Sequence, residues 1–191
     1  MGTRNLTVVI DKAGTLKIAQ YGQWDGYPSG QGKTALEFLL ANPQFEKKLE
    51  KVRFQTESDT KEFEKFLKDI GSKDGSFNGK QYDAYKAKYA LLSRDNGAGV
   101  LQMINDLEED AWLENRIEFA NDSLFCEWAY VIDYQKGTFE VYQGFNEKPL
   151  NESDRFYSET EGKYSGVKLL KSYSLDNLPS VEVFLAECKE E

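Results

Sequence analysis

Asn5-Leu6-Thr7-Val8-Val9-Ile10-Asp11-Lys12-Ala13-Gly14-Thr15-Leu16-Lys17-Ile18-Ala19-Gln20-Tyr21 reads as two strands around a tight turn. β-Branched residues crowd both arms, and Asp11 to Gly14 supplies turn chemistry with glycine at its end, so the chain folds back as a β-hairpin. A second hairpin is written into Leu124 to Tyr134 and Thr138 to Phe145, joined across Gln135-Lys136-Gly137. Along its first arm one face reads Cys126, Trp128, Tyr130, Ile132 and Tyr134, and the other Phe125, Glu127, Ala129, Val131 and Asp133. Both faces are largely apolar, which is the pattern of a central strand covered on each side. Glu127 is therefore expected to be buried on that strand and held by an arginine, Arg4 foremost or Arg116, because an unpaired carboxylate there is costly.

Between the hairpins the apolar period becomes helical. Helices are predicted from Lys33 to Ala41 and from Pro43 to Phe54, the second with Asn42 as N-cap and with Phe45, Leu49 and Val52 on one face. A third follows the capping pair Asp59 and Glu62, carries Phe63, Phe66, Leu67 and Ile70, and stops at Gly71. Two more run over Tyr82 to Leu92 and Gly99 to Leu107, after a surface loop from Gly71 to Lys80 that is too short to be a domain linker. Strands at Asn115 to Phe119 and Gly166 to Tyr173, and a terminal helix from Pro179 to Cys188, complete the pass. The order defines an α+β fold in a single domain, 1–191: an antiparallel sheet built from the N-terminal and C-terminal hairpins, covered by a central block of helices.

Composition narrows the chemistry. Among 191 residues, 33 are acidic, 24 basic and none is histidine, for a net charge of −9. Without imidazole there is no Ser-His-Asp or Cys-His nucleophile, no histidine-built zinc site and no histidine acid–base pair. Five arginines and a pI near 4.8 argue against duplex nucleic acid as a partner. No apolar run reaches membrane-spanning length, and the N-terminus lacks the apolar region of a secretion signal, so a cytoplasmic protein without membrane attachment is expected. Cys126 and Cys188 fit free thiols in that compartment. The triplet Glu108-Glu109-Asp110 reads as a solvated helix end, and neither a metal nor a cofactor is called for.

The candidate site is the loop leaving the first hairpin, Gln20-Tyr21-Gly22-Gln23-Trp24-Asp25-Gly26-Tyr27-Pro28-Ser29-Gly30-Gln31-Gly32. Tyr21, Trp24 and Tyr27 offer faces for stacking, Gln20, Gln23 and Gln31 can read polar edges, and Asp25 adds a carboxylate. The alternative is a packed loop whose aromatics anchor it to the core. Gly32-Lys33-Thr34 resembles the end of a phosphate-binding P-loop, but the glycine that motif needs falls at Tyr27, and Gly26 lies one residue too early. Lys33 at a helix start, with Arg4 and Asn5 entering the first strand and Glu127 nearby, completes the set of candidate ligand-binding residues.

Met1-Gly2-Thr3-Arg4-Asn5-Leu6-Thr7, the loop from Gln20 to Gly32 and the later Cys126-Glu127-Trp128 together resemble a family of largely uncharacterised bacteriophage and bacterial proteins. That likeness implies a setting in which small acidic phage proteins sequester or destroy nucleotide-derived immune signals of the host. A looser likeness is to N-terminal-nucleophile hydrolases that open Met-Cys-Thr. Their nucleophile position is Gly2 here, so that route needs processing to Thr3. The expected function is capture of a small nucleotide-derived ligand, ADP-ribose-like or cyclic, with catalytic residues absent and self-association into a homo-oligomer compatible. A signal-cleaving or N-terminal-nucleophile hydrolase, and an acidic decoy for a host protein, are the alternatives.

Overall fold

The computed structural model describes residues 2–73, 76–157 and 163–189. In chain order the strands and α-helices are β1 (Asn5–Ile10), β2 (Leu16–Gly22), α1 (Lys33–Ala41), β3 (Val52–Phe54), α2 (Glu57–Asp69), α3 (Gly79–Tyr89), α4 (Val100–Asn105), β4 (Ala111–Leu113), β5 (Trp128–Asp133), β6 (Thr138–Gln143), β7 (Lys168–Ser174) and α5 (Val181–Glu187). The fold is α+β, as the element order implies. Both hairpins form. In the first, Asp11 Oδ1 accepts from the Ala13 and Thr15 amides at 2.9 and 2.8 Å, and Gly14 takes the left-handed φ of +83° that closes the turn.

The strand order is β2-β1-β5-β6-β7, with β1 and β5 parallel and every other neighbouring pair antiparallel. The sheet is thus mixed at its centre, which corrects the expectation of an all-antiparallel one. β5 is buried along its whole length. Trp128, Tyr130 and Ile132 pack with Val9, Ile18, Phe139 and the apolar sides of α1, α4 and α5. Ala129 and Val131 face a smaller core with Leu6, Val8, Tyr142, Cys126, Phe156 and Val167. Helices therefore cover one face, and irregular chain with a short 3-10 helix (Ile117–Asn121) covers the other. The second sheet is β3 beside β4, three residues each and parallel.

Several boundaries move for local reasons. Pro43 to Phe54 is a 3-10 helix over Phe45–Lys51 that gives way to β3, although Phe45, Leu49 and Val52 are buried as their spacing implies. Asn42 closes α1, donating from Nδ2 to the Phe38 carbonyl, and does not open the next helix. α2 starts at Glu57 because Thr56 and Asp59 form the capping box. Asn115 to Phe119 is no strand; the strand lies earlier, at β4, and the chain then turns into the 3-10 helix. A one-turn π-helix (Pro28–Gly32) runs directly into α1, where no regular element was expected. Of the loop from Gly71 to Lys80, residues 74 and 75 lie outside the described residues, and α3 begins within it behind an Asn78–Gln81 capping box. Cys126 and Cys188 are free and buried, Cys188 against Tyr173 in the larger core. α2 and α3 pack on each other through rings: Phe63 and Phe66 meet Tyr89 edge-on at 4.8 and 4.9 Å, and Phe77 stacks on Tyr85.

An ion-pair network that the strand pattern did not reveal locks the smaller core. Arg155 reaches back to β5 and β6, 2.6 Å from Asp133 Oδ2 and 2.9 Å from Glu140 Oε2, and Tyr142 and Thr138 donate to the same Glu140 carboxylate at 2.7 and 2.9 Å. Burial pushes the Glu140 carboxyl up, but hydrogen bonds from Arg155 and Tyr142 and the guanidinium charge outweigh it and hold it below its ordinary value. A carboxylate whose folded pKa lies below the unfolded one, about 4.3, stabilises fully above that pH and loses the contribution as pH falls through the folded value. Thermal melts between pH 7 and 3 are expected to show this loss in the native protein and a flatter acid limb in Glu140→Gln; parallel curves would refute it. Arg155→Ala, which strands two buried carboxylates, is expected to cost about 3–5 kcal/mol in urea unfolding.

Candidate functional site

Where β2 ends, the chain borders a cleft of about 650 Å³ lined by Gln20, Tyr21, Leu92, Arg94, Glu114, Asn115, Arg116, Glu118, Phe119 and Asp122. Three segments build it: the end of β2, the turn after α3, and the stretch from Glu114 through the 3-10 helix to Asp122. The Tyr21 and Phe119 rings meet edge-to-face in its wall, centroids 4.9 Å apart at 83°. Burial raises the Tyr21 hydroxyl pKa, while the positive charges of Arg4 and Arg94 pull it back. With Arg116 in the lining, three of the five arginines gather about this one tyrosine.

Their states differ. Arg4 pairs with Glu127, Arg53 with Asp59, Arg116 with Glu114 and Arg155 with Asp133 and Glu140, whereas Arg94 makes no ion pair among the described residues. Glu118 and Asp122 make none there either. The cleft thus carries a guanidinium beside two rings, and two carboxylates without an ion pair among the described residues.

Of the residues singled out in the sequence, Gln20 and Tyr21 line this cleft. The same stretch of chain also braces the segment that bears Arg94. Gln20 Nε2 donates to the Ser93 carbonyl at 3.1 Å, the Gln23 backbone N–H to the Arg94 carbonyl at 2.9 Å, and the Trp24 indole to Asp95 Oδ1 at 2.9 Å. Gln31 Oε1 accepts from the Ala98 amide at 2.7 Å and its Nε2 donates to the Trp24 carbonyl at 3.3 Å. Gln31 fits beneath Gly97, whose φ of +48° and closeness to that amide leave no space for a side chain. Asn5 Nδ2 donates to the Gly22 and Trp24 carbonyls, and the Gln23 side chain accepts from the Tyr21 hydroxyl at 2.6 Å.

Asp25 takes a left-handed φ of +55° and its carbonyl accepts from the Gln31 amide; the Tyr27 carbonyl accepts from Gly30 and Gly32. Lys33 lies on α1, 3.7 Å from Glu37, and is not part of the cleft lining. Arg4 and Glu127 do meet. The Arg4 amide donates to Glu127 Oε1 at 3.2 Å, its Nε is 3.6 Å from the same oxygen, and its guanidinium lies over Phe125 at 4.8 Å. Glu127 lies just before β5, however, with its side chain 18% exposed, because a turn at Asp122 takes the amides of Phe125 and Cys126 out of the strand. Arg116, the other suggested partner, is bound to Glu114.

Sequence reasoning missed Arg94, Glu114, Glu118, Phe119 and Asp122. The scarcity of arginine was the available signal: in a chain of net charge −9, each guanidinium merits a search for its counter-charge. Position 2 has no room for a nucleophile, since a Cβ on Gly2 would collide with Trp24 and the Gln23 carbonyl, and Thr3 is buried with its carbonyl accepting from Gly26. Met1, on whose removal that route depends, lies outside the described residues. Among the described residues no acidic or cysteine cluster is arranged to hold a metal, and no helix is long and apolar enough to cross a membrane. Compared with models of protein families, with curated proteins and with solved structures, the chain finds no match.

Gln31→Ala strips the Ala98 amide of its acceptor and is expected to cost about 1–3 kcal/mol in denaturant unfolding, with faster amide exchange at Ala98. Glu127→Gln keeps an oxygen acceptor for the Arg4 amide at a position that is 18% exposed, so its cost is expected to stay near about 1–2 kcal/mol, short of the roughly 3–5 kcal/mol of a fully stranded buried charge; a loss of several kcal/mol would show that the pair is a buried keystone.

Proposed function

We propose that the protein captures a small nucleotide-like ligand in the cleft beside Tyr21, with Arg94 meeting its anionic group and the Tyr21 and Phe119 rings bordering its planar part. The observation that carries this reading is Arg94 itself, a guanidinium without an ion-pair partner among the described residues, at a cleft large enough for a nucleotide. Pockets of about 300–1,000 Å³ with a few placed polar groups are the usual form of small-molecule sites. Arginine suits phosphate because its planar fork donates two parallel hydrogen bonds. Capture is favoured over turnover by the chain's lack of histidine and by the crowding at position 2. The motif likeness to phage and bacterial proteins supplies the biological setting of this proposal, sequestration of a nucleotide-derived defence signal.

Calorimetry with AMP, ADP-ribose and a cyclic dinucleotide tests it. At least one of them is expected to bind the native protein, and Arg94→Ala is expected to weaken that binding at least tenfold while the melting temperature stays within a degree or two. Silence from every compound, with the protein shown to be folded, would overturn the proposal.

A further inference from the structure

We infer that the cleft selects a nucleotide of low net charge over a polyphosphate, an inference that rests on the capture reading above and adds the charge class of the ligand. The cleft's ionisable side chains, apart from Tyr21, are Arg94, Arg116, Glu114, Glu118 and Asp122. Arg116 is neutralised by Glu114, through Nε at 2.8 Å and through Nη2. What remains is one guanidinium against two carboxylates, Glu118 on the 3-10 helix and Asp122 just after it, both exposed and without cation partners among the described residues.

A single phosphate can pair with Arg94. A second and third place further negative charge in a space that already holds an excess of it, inside a protein of net charge −9. A carboxylate also has no hydrogen to give: it accepts only. Glu118 and Asp122 therefore favour ligand groups that donate, such as a ribose diol or an exocyclic amine, and disfavour phosphate oxygens, which need donors. The arrangement thus asks for a ligand with a donor-rich end and little negative charge beyond what Arg94 can pair, which a nucleoside monophosphate meets better than a nucleoside triphosphate with the same sugar and base.

The test compares AMP with ATP by calorimetry at low ionic strength, in the native protein and in Glu118→Gln/Asp122→Asn. Both carboxylates are exposed, so the double variant keeps the packing of the fold. Native protein is expected to bind AMP at least tenfold more tightly than ATP, and the double variant to narrow that gap about tenfold, chiefly by a gain for ATP. Added salt is expected to narrow it in the native protein as well. ATP binding as tightly as AMP in the native protein, or a ratio unmoved by the double substitution, would overturn the charge selection while leaving capture intact. No binding of either nucleotide, or of ADP-ribose and the cyclic dinucleotide, would overturn both.

Discussion

The parallel pairing of β1 with β5, from Asn5 opposite Trp128 to Ile10 opposite Asp133, is the constraint on which the rest of the molecule depends. It welds two hairpins made more than a hundred residues apart into one sheet, and it makes β5 a strand with no wet face. Residues of alternating parity must then each find a core, which is why helices accumulate on one side while the chain around Ile117 to Cys126 and Leu150 to Phe156 folds over the other. It also sets the beginnings of β1 and β5 side by side, and so brings Arg4, Glu127 and the end of β2 together next to the cleft.

The hairpins were legible because their signal is local: β-branched arms of period two around turn residues. The central position of β5 was legible for the same reason, from two apolar faces on one run of sequence. The direction of its pairing with β1 was not, since nothing within either strand states which partner lies beside it. Short elements were the other loss. Val52 to Phe54 continues the apolar spacing of the preceding helical turn, and β3 is strand because β4 lies alongside, a fact that belongs to Ala111–Leu113 and not to the residues themselves. Arg155 shows the same limit for charge, as its partners Asp133 and Glu140 lie on two different strands.

The site was half legible. The loop from Gln20 to Gly32 was marked by its density of amides and aromatics, and it does adjoin the cleft. Yet Gln20 and Gln31 of the loop, with Asn5 beside it, point their chemistry at backbone carbonyls and amides. A glycine-rich loop needs such braces whether or not it binds anything. What distinguishes Arg94 is the reverse condition, a strong donor whose fork has no carboxylate partner among the described residues.

The ring-to-ring packing of α2 on α3 has a consequence for how the molecule comes apart. These two helices lean on each other through Phe63, Phe66, Phe77, Tyr85 and Tyr89, with Trp112 as a link to β4, and α2 buries no residue completely. The sheet and its two cores do not include those rings. The helical pair is therefore expected to open as a cooperative unit of its own, forfeiting its aromatic contacts, Trp112 of β4 included, while the five-stranded sheet holds. Its amides are expected to exchange with solvent at a lower free energy than those of β5, and a protease to cut here before it reaches the sheet.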